Sequence, residues 1–504
     1  MTANRISFAV ALKFALLLSF MTLTATLAFY HEPWRDEVDT WLMARDASLS
    51  TIMKISPDVG CPVGWHFLLK PFASAGFPFG AQQTLTLLLV WTAVGILIFQ
   101  GPFSLIISTC WCLSWYLSFE YSVMARSYAL GILGVFALLG ACSTSAPSRF
   151  RTLQWWISWP LITFSMVHFL ALAPGLLLIS YLLGEERGIS RTRLIAAHFW
   201  PVFLSILSVW MLWPTGHGQL SDDFMPFFKP TNLLTAISLA VFPFGSSKSP
   251  PQYVAPAFLC FWLLICRLDW KKNLALVLMV SGVNSIYVFK YFHAAWRYSG
   301  LNWIIIIVAA WVGLLALQRR GSDGVRKWVH LITACLLVIT LFNISDSAKS
   351  WRKEIDRPFS DAGFVAKYLI DSHQLDEAVA CTSPPNCSAI LGYLPVHKQF
   401  WYPGIDQWGT HMFWDRTYMR SCTLSPERAL QKAKSFFHDA QGKTTFLFIS
   451  NRRIPDPQSL YLIKVWESPR ASWRVKDEAF TVYRWQLSQD TLLSSVAATP
   501  AKAP

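Results

Sequence analysis

The run from His31 to Asp46 carries the carboxylates Glu32, Asp36, Glu37, Asp39 and Asp46 beside Arg35 and Arg45. It follows directly on an apolar stretch, which puts these groups at a boundary between water and lipid. A carboxylate partly shielded there has a raised pKa, or is held ionised by an adjacent Arg. Either state suits a group that takes a proton from an attacking hydroxyl. The plain alternative is a solvated charged loop, the usual meaning of a charge run.

Two further groups could act on a phosphate. Glu120 and Arg126 fall in the segment Phe119–Tyr128, within or beside apolar stretches, where a charge is costly and reads by default as functional or paired. A Glu–Arg pair or an Arg contact with a lipid phosphate is the structural alternative. Lys290, His293 and Arg297 recur at intervals of three and four, so a helix would place them on one face, fit for a phosphate or pyrophosphate. Snorkelling to lipid headgroups would account for them equally well. Farther on, Trp401, Tyr402 and Trp408 offer aromatic faces on which a sugar ring could stack, with core packing as the alternative.

These residues need positioning elements, and composition says what kind. Of 504 residues, 54% are hydrophobic and 14% charged, against about a quarter charged in soluble proteins. That excludes a water-soluble globule and, for most of the chain, disorder; 10 Cys are too sparse for a disulfide-built secreted module. The pattern is that of a polytopic α-helical membrane protein. Stretches near the ~20 residues a spanning helix needs recur at Ala9–Phe29, Thr84–Phe99, Phe103–Phe119, Ser122–Ala141, Trp155–Leu170 and Ala171–Leu183. Others follow at Leu194–Trp213, Tyr253–Cys266, Leu274–Phe289, Leu301–Leu317 and Val329–Ile344, with Leu233–Phe244 a further span or an interfacial helix. About eleven transmembrane helices are expected.

The net charge of +14 sets topology. Arg5, Arg149, Arg151, Arg187, Arg191, Arg193, Lys271, Lys272, Arg319 and Arg320 fall in alternate connections, all on one side of an eleven-span chain. The positive-inside rule makes that side cytoplasmic. The first span, with no small-x-small site after it, reads as a signal anchor with a cytoplasmic N-terminus. The charged run and everything after Ile344 then lie outside. In the first outer loop, residues 30–83, a short interfacial helix, a turn and a second interfacial helix would form a lid over a lipid-facing groove.

After about Asp346 charge becomes frequent and long apolar runs cease. The expected organisation is a membrane domain over residues 1–345, an extracytoplasmic α/β domain over 346–489, and a disordered tail over 490–504. Within the outer domain, Ser360-Asp361 would cap a helix through Leu369, Glu377–Thr382 and Thr445–Ser450 read as buried strands, Ser425-Pro426-Glu427 opens a helix to about Asp439, and Phe480–Leu487 alternates as a final strand. A Cys381–Cys387 bridge would leave Cys422 over. No spacing resembles a zinc site or a nucleotide-binding glycine loop, and the basic excess is spent on topology, so no nucleic-acid partner is expected.

The Asp36-Glu37 pair in the first outer loop, the segment Gly60-Cys61-Pro62-Val63-Gly64-Trp65-His66-Phe67-Leu68-Leu69, and Ala125-Arg126-Ser127-Tyr128 occur in an order that resembles the GT-C superfamily of integral membrane glycosyltransferases. That superfamily includes protein O-mannosyltransferases and the lipid A aminoarabinose transferase. The resemblance implies transfer of a sugar from a polyprenyl-phosphate donor to an acceptor hydroxyl of a glycan, lipid or protein, with inversion, at the outer face of a bacterial cytoplasmic membrane. It makes Asp36 the catalytic aspartate, with Glu37 and Arg35 in support, and matches Arg126 and Tyr128 to the Arg-x-Tyr segment. Lys290, His293 and Arg297 would join Arg126 on the donor phosphate. Family members often carry His-Pro-Pro or Lys-Pro-Pro where Cys61 stands here, and His66 lies one turn away to take that place. A divalent cation, Mg or Mn, would fit beside Asp36 and Glu37, although many such enzymes dispense with one. The rival reading is a transporter or flippase of lipid-linked sugars, which would use the same groove and cations without chemistry.

Overall fold

A computed structural model describes residues 2–143, 148–213, 270–289, 296–320, 323–395, 398–412 and 424–486. The chain divides into two compact units that are discontinuous in sequence. One comprises Met1–Tyr30, Leu49–Leu68 and Gly80–Ile355; the other comprises His31–Ser48, Leu69–Phe79 and Asp356–Pro504.

The first unit is helical. It contains α1 (Thr2–Tyr30), α3 (Leu49–Val59), the start of α4 (Gly64–Ser74), α5 (Gly80–Gln100), α6 (Leu105–Leu113), α7 (Tyr128–Ser143), α8 (Arg149–Thr163) and α9 (Val167–Glu186). It continues with α10 (Arg191–Met211), α11 (Trp270–Phe289), α12 (Trp296–Arg320) and α13 (Asp323–Asp356). Among the described residues, five helices are long and apolar enough to cross a membrane: Phe8–Tyr30, Gly80–Gln100, Val167–Glu186, Arg191–Met211 and Arg297–Arg319. Helix α7 packs on α5 and α8, and α9 on α11. The α9–α11 pair lies so close that a Cβ on Gly175 would strike the Ala275 carbonyl, and one on Gly282 the Ala171 carbonyl. Small residues at such a seam are how apolar helices gain contact without a hydrophobic driving force between them.

Three expectations need correction. The stretches Phe103–Phe119 and Ser122–Ala141 are not two continuous spans. Helix α6 stops at Ser114, a one-turn π-helix covers Tyr116–Glu120, and α7 starts only at Tyr128. Apolarity hid the break because polar side chains from elsewhere satisfy the freed backbone: Asn343 Oδ1 accepts the Trp115 N–H at 2.5 Å. The boundary between α8 and α9 falls at Phe164–Met166 rather than at Leu170. The composition change at Asp346 falls inside α13, which runs on to Asp356. The expected stretches Leu233–Phe244 and Tyr253–Cys266 lie outside the described residues.

The second unit is a six-stranded mixed sheet with helices on both faces. Its elements are α2 (Arg35–Asp46), α14 (Ala362–Asp371), β1 (Val379–Cys381), α15 (Pro384–Leu391), β2 (Phe400–Tyr402), β3 (Gln407–Gly409), α16 (Pro426–Lys434), β4 (Thr445–Ser450), β5 (Leu462–Glu467) and β6 (Thr481–Gln486). The strand order is β3-β2-β1-β4-β6-β5. Strand β1 pairs in parallel with both β2 and β4, while the β2–β3, β4–β6 and β5–β6 pairs are antiparallel. Period-two alternation divides β4: Leu447 and Ile449 face one core, Phe446 and Phe448 the other. The first core is closed by α14, α15 and α2, and the second by α16.

Helix α2, formed by the charged run that follows α1, belongs to this unit. Val38 and Leu42 are fully buried in the sheet's first core, each contributing about 1.5–3 kcal/mol by leaving water. The aromatic run Phe400–Tyr402 is strand β2, so Trp401 and Tyr402 are buried, Trp401 stacking on Phe436 at 4.5 Å. Trp408 retains 39% exposure. At the start of α14 Ser360 Oγ accepts the Ala362 N–H at 3.1 Å, while the Asp361 side chain accepts from Ser468 Oγ at 3.1 Å and the Ser472 N–H at 3.0 Å. Ser425 does cap α16, and Cys381 and Cys387 are disulfide-bonded across a Cα separation of 6.3 Å.

Candidate functional site

Two clusters hold most of the predicted residues, one in each unit. In the first unit the connection from α6 to α7 leaves the helix and carries Glu120, Arg126 and Tyr128. Irregular backbone among apolar helices persists only where protein covers it or where it lines a cavity. Gln82 Nε2 donates to the Ala125 carbonyl at 2.6 Å, fixing the turn just before Arg126. Arg126 lies over the Tyr128 ring at 5.8 Å, and Tyr128 stacks obliquely on Tyr121 at 5.0 Å between ring centres. Tyr121 Oη donates to the Arg297 carbonyl at 2.9 Å, which brings the start of α12 to the same place. Arg297 lies 5.1 Å from the Tyr298 ring, and Tyr298 stacks face to face on His168 at 4.5 Å. Tyr128 is thus within electrostatic reach of Tyr298, Arg126, Arg297 and Glu120.

Glu120, Arg126 and Tyr128 of one segment and Arg297 from far along the chain are therefore neighbours. The stack of His168 on Tyr298 was not legible, since a His inside an apolar helix carries no spacing signal. Close packing holds the cluster: a Cβ on Gly300 would meet Tyr121 Oη and the Tyr116 ring. Lys290 and His293 lie outside the described residues.

Cys61 and His66 are buried near the same unit's turns but carry no charge for a phosphate. Burial pushes the Cys61 thiol up to about 11, and its Sγ donates to the Ser165 carbonyl at 3.1 Å. Burial lowers His66 to about 4, so its ring is neutral near pH 7.

In the second unit most carboxylates of the first loop are engaged. Glu37 is fully buried, pairs with His31 Nε2 at 2.8 Å and accepts the Trp34 N–H at 3.4 Å, closing the first turn of α2. Asp39 Oδ1 accepts the Met412 N–H at 2.6 Å, and Glu32 accepts the Phe359 N–H at 2.7 Å. Asp46 is paired with Arg45 at 2.7 Å. Asp36 lies at the start of α2 with its side chain 19% exposed and 4.0 Å from Arg35 Nε. Arg35 is the hub: its guanidinium pairs with Asp477 and donates to Asn386 Oδ1 at 3.3 Å, while its backbone N–H donates to Glu478 at 3.1 Å. Burial works against the charge on Arg35, and the carboxyl groups of Asp36, Glu478 and Asp477 more than offset it, so its pKa lies above the usual value.

The chemistry on offer is thus a carboxylate steadied by an arginine in one unit and a pair of arginines ringed by tyrosines in the other. Among the described residues no group of three His, Cys, Asp or Glu side chains is placed to hold a metal ion. No protein-family model, curated protein or solved structure matches this chain.

Proposed function

We propose that the protein is a membrane-embedded glycosyltransferase of the GT-C kind. It moves a sugar from a polyprenyl-phosphate donor to an acceptor hydroxyl at the outer face of a bacterial cytoplasmic membrane. The observation that carries this reading is the convergence of Arg126 and Arg297 beside Glu120 and the Tyr128 hydroxyl among apolar helices. Two guanidinium groups so placed suit a phosphate monoester or diester, since each presents a planar fork of donors. In this reading the membrane unit has eleven spans, the N-terminus is cytoplasmic, and Lys290 and His293 add to the phosphate site.

The reaction is a displacement with inversion. The acceptor oxygen forms a bond to the anomeric carbon as the bond from that carbon to the phosphate oxygen breaks. The electron pair leaves with polyprenyl phosphate, whose growing charge Arg126 and Arg297 stabilise. The acceptor proton goes to the Asp36 carboxylate, which lies 4.0 Å from Arg35 Nε.

Deleting the gene and analysing the envelope tests this. The expected result is a glycan, lipid or protein that loses one sugar while the matching polyprenyl-phosphate sugar accumulates. A flippase would instead leave purified protein unable to form any glycosidic product from donor supplied on the outer side. Unchanged envelope glycans together with an unchanged donor pool would overturn the proposal.

A further inference from the structure

The second unit has a feature that neither Asp36 nor the arginine cluster uses. From β1 the chain passes through α15 to β2 on one side of β1, then returns through β3 and α16 to β4 on the other side. Helices α15 and α16 cover opposite faces. Strand order therefore reverses between the parallel neighbours β1 and β4, the kind of switch point where open α/β sheets bind ligands, beyond the carboxyl ends of the strands.

The residues at that position are polar. Thr382 and Ser383 follow β1, Asn386 lies in the first turn of α15, and Asn451 follows β4. Asn386 Nδ2 donates to the Asp477 carbonyl at 2.5 Å, and Asn451 Nδ2 donates to the same oxygen at 3.2 Å. Asn386 Oδ1 also receives Ser383 Oγ and Arg35 Nη1, each at 3.3 Å, which brings the start of α2 to this rim. Two acceptors remain unused. The Thr382 hydroxyl, on a residue 5% exposed, and the Asn451 Oδ1 make no hydrogen bond among the described residues. Buried polar atoms in native proteins are nearly always paired, so an orphan at a switch point calls for a partner from outside the chain.

We propose that the carboxyl ends of β1 and β4 bind a polyhydroxylated glycan segment, the acceptor of the transfer reaction. Amides and hydroxyls line the buried part of this position, and the Arg35 guanidinium at its rim is already matched by Asp477. Such a set recognises sugar hydroxyls, which donate and accept at once. Arg35 links it to its neighbour Asp36 at the start of α2, so the bound glycan lies beside the carboxylate that takes its proton. This assignment rests on the transferase reading for the word acceptor, but the glycan-binding site itself does not.

The test uses the full chain in nanodiscs on an array of defined oligosaccharides, with Thr382→Val and Asn451→Ala. Removing a hydroxyl that has no partner should leave the melting temperature unchanged or raised. Glycan binding should weaken about tenfold or more in each variant. Absence of binding to every oligosaccharide, or wild-type affinity in both variants, overturns the proposal. Glycan binding that depends on Thr382 without any sugar transfer would uphold the site and sink the transferase reading. Transfer with an acceptor KM that neither variant changes would do the reverse.

Discussion

The backbone N–H of Arg35 donates to the buried carboxyl of Glu478 at 3.1 Å, across 443 positions of sequence. Ser360 Oγ donates to the other oxygen of Glu478 at 2.5 Å. One buried acid thus ties the start of α2 to the last third of the chain, and Asp36 sits one residue along that tie.

Burial pushes Glu478 up to about 8 from 4.5, against the lowering pull of Arg35 and the Ser360 hydroxyl. The folded state therefore holds a proton that the unfolded state releases near its ordinary pKa. Stability from this group is complete below about 4.5 and declines as pH rises toward 8. Thermal melts of the intact protein should fall across that window by the equivalent of a few kcal/mol, and Glu478→Gln should flatten the slope. A slope unchanged in the variant would remove Glu478 as its cause.

The Cys381–Cys387 bridge closes a short loop at the end of β1. Chain-entropy reasoning gives such a loop about 2 kcal/mol. Cys387→Ser should lower the melting temperature, and a reducing agent should reproduce the loss in the wild type but add nothing in the variant. Equal melting with and without reductant in the wild type would contradict it.

Gly300→Ala should be damaging out of proportion to one methyl group. The new Cβ would collide with Tyr121 Oη and the Tyr116 ring, disturbing the hydroxyl that holds the Arg297 carbonyl. Overpacking of this kind costs about 1–3 kcal/mol. A melting curve identical to wild type would mean the tyrosines give way freely.

What the sequence disclosed follows from the range of each signal. Strand β4 was legible to the residue, because its interior, Phe446–Ile449, is a continuous apolar run buried on both faces. Strand β2 was not, because Phe400-Trp401-Tyr402, although better read as core, can also be read as a sugar-stacking surface until its burial is known. Helix α2 was not legible, because Arg35–Asp46 reads first as a charged run, and its two apolar residues Val38 and Leu42 declare their partner only in the sheet's core. Glu120, Arg126 and Arg297 were legible as costly charges, while their convergence depended on the broken helix at Ser114, which apolarity concealed. The orphaned Thr382 hydroxyl carries no sequence signal at all.

Arg126 should matter more by shape than by charge alone. Arg126→Ala should reduce sugar transfer about 10²–10³-fold, the usual cost of losing a preorganised group at a developing charge. Arg126→Lys should recover only part of it, since an ammonium lacks the planar fork. Steady-state rates with a purified polyprenyl-phosphate sugar decide this, and full activity in the alanine variant would exclude Arg126 from the phosphate site.

The most direct measurement is sugar transfer by Asp36→Asn, with protein in nanodiscs, a radiolabelled polyprenyl-phosphate sugar as donor and envelope glycan as acceptor. Donor binding should persist while transfer falls by about two to four orders of magnitude, the usual cost of losing a general base. Undiminished transfer in that variant would contradict this role for Asp36.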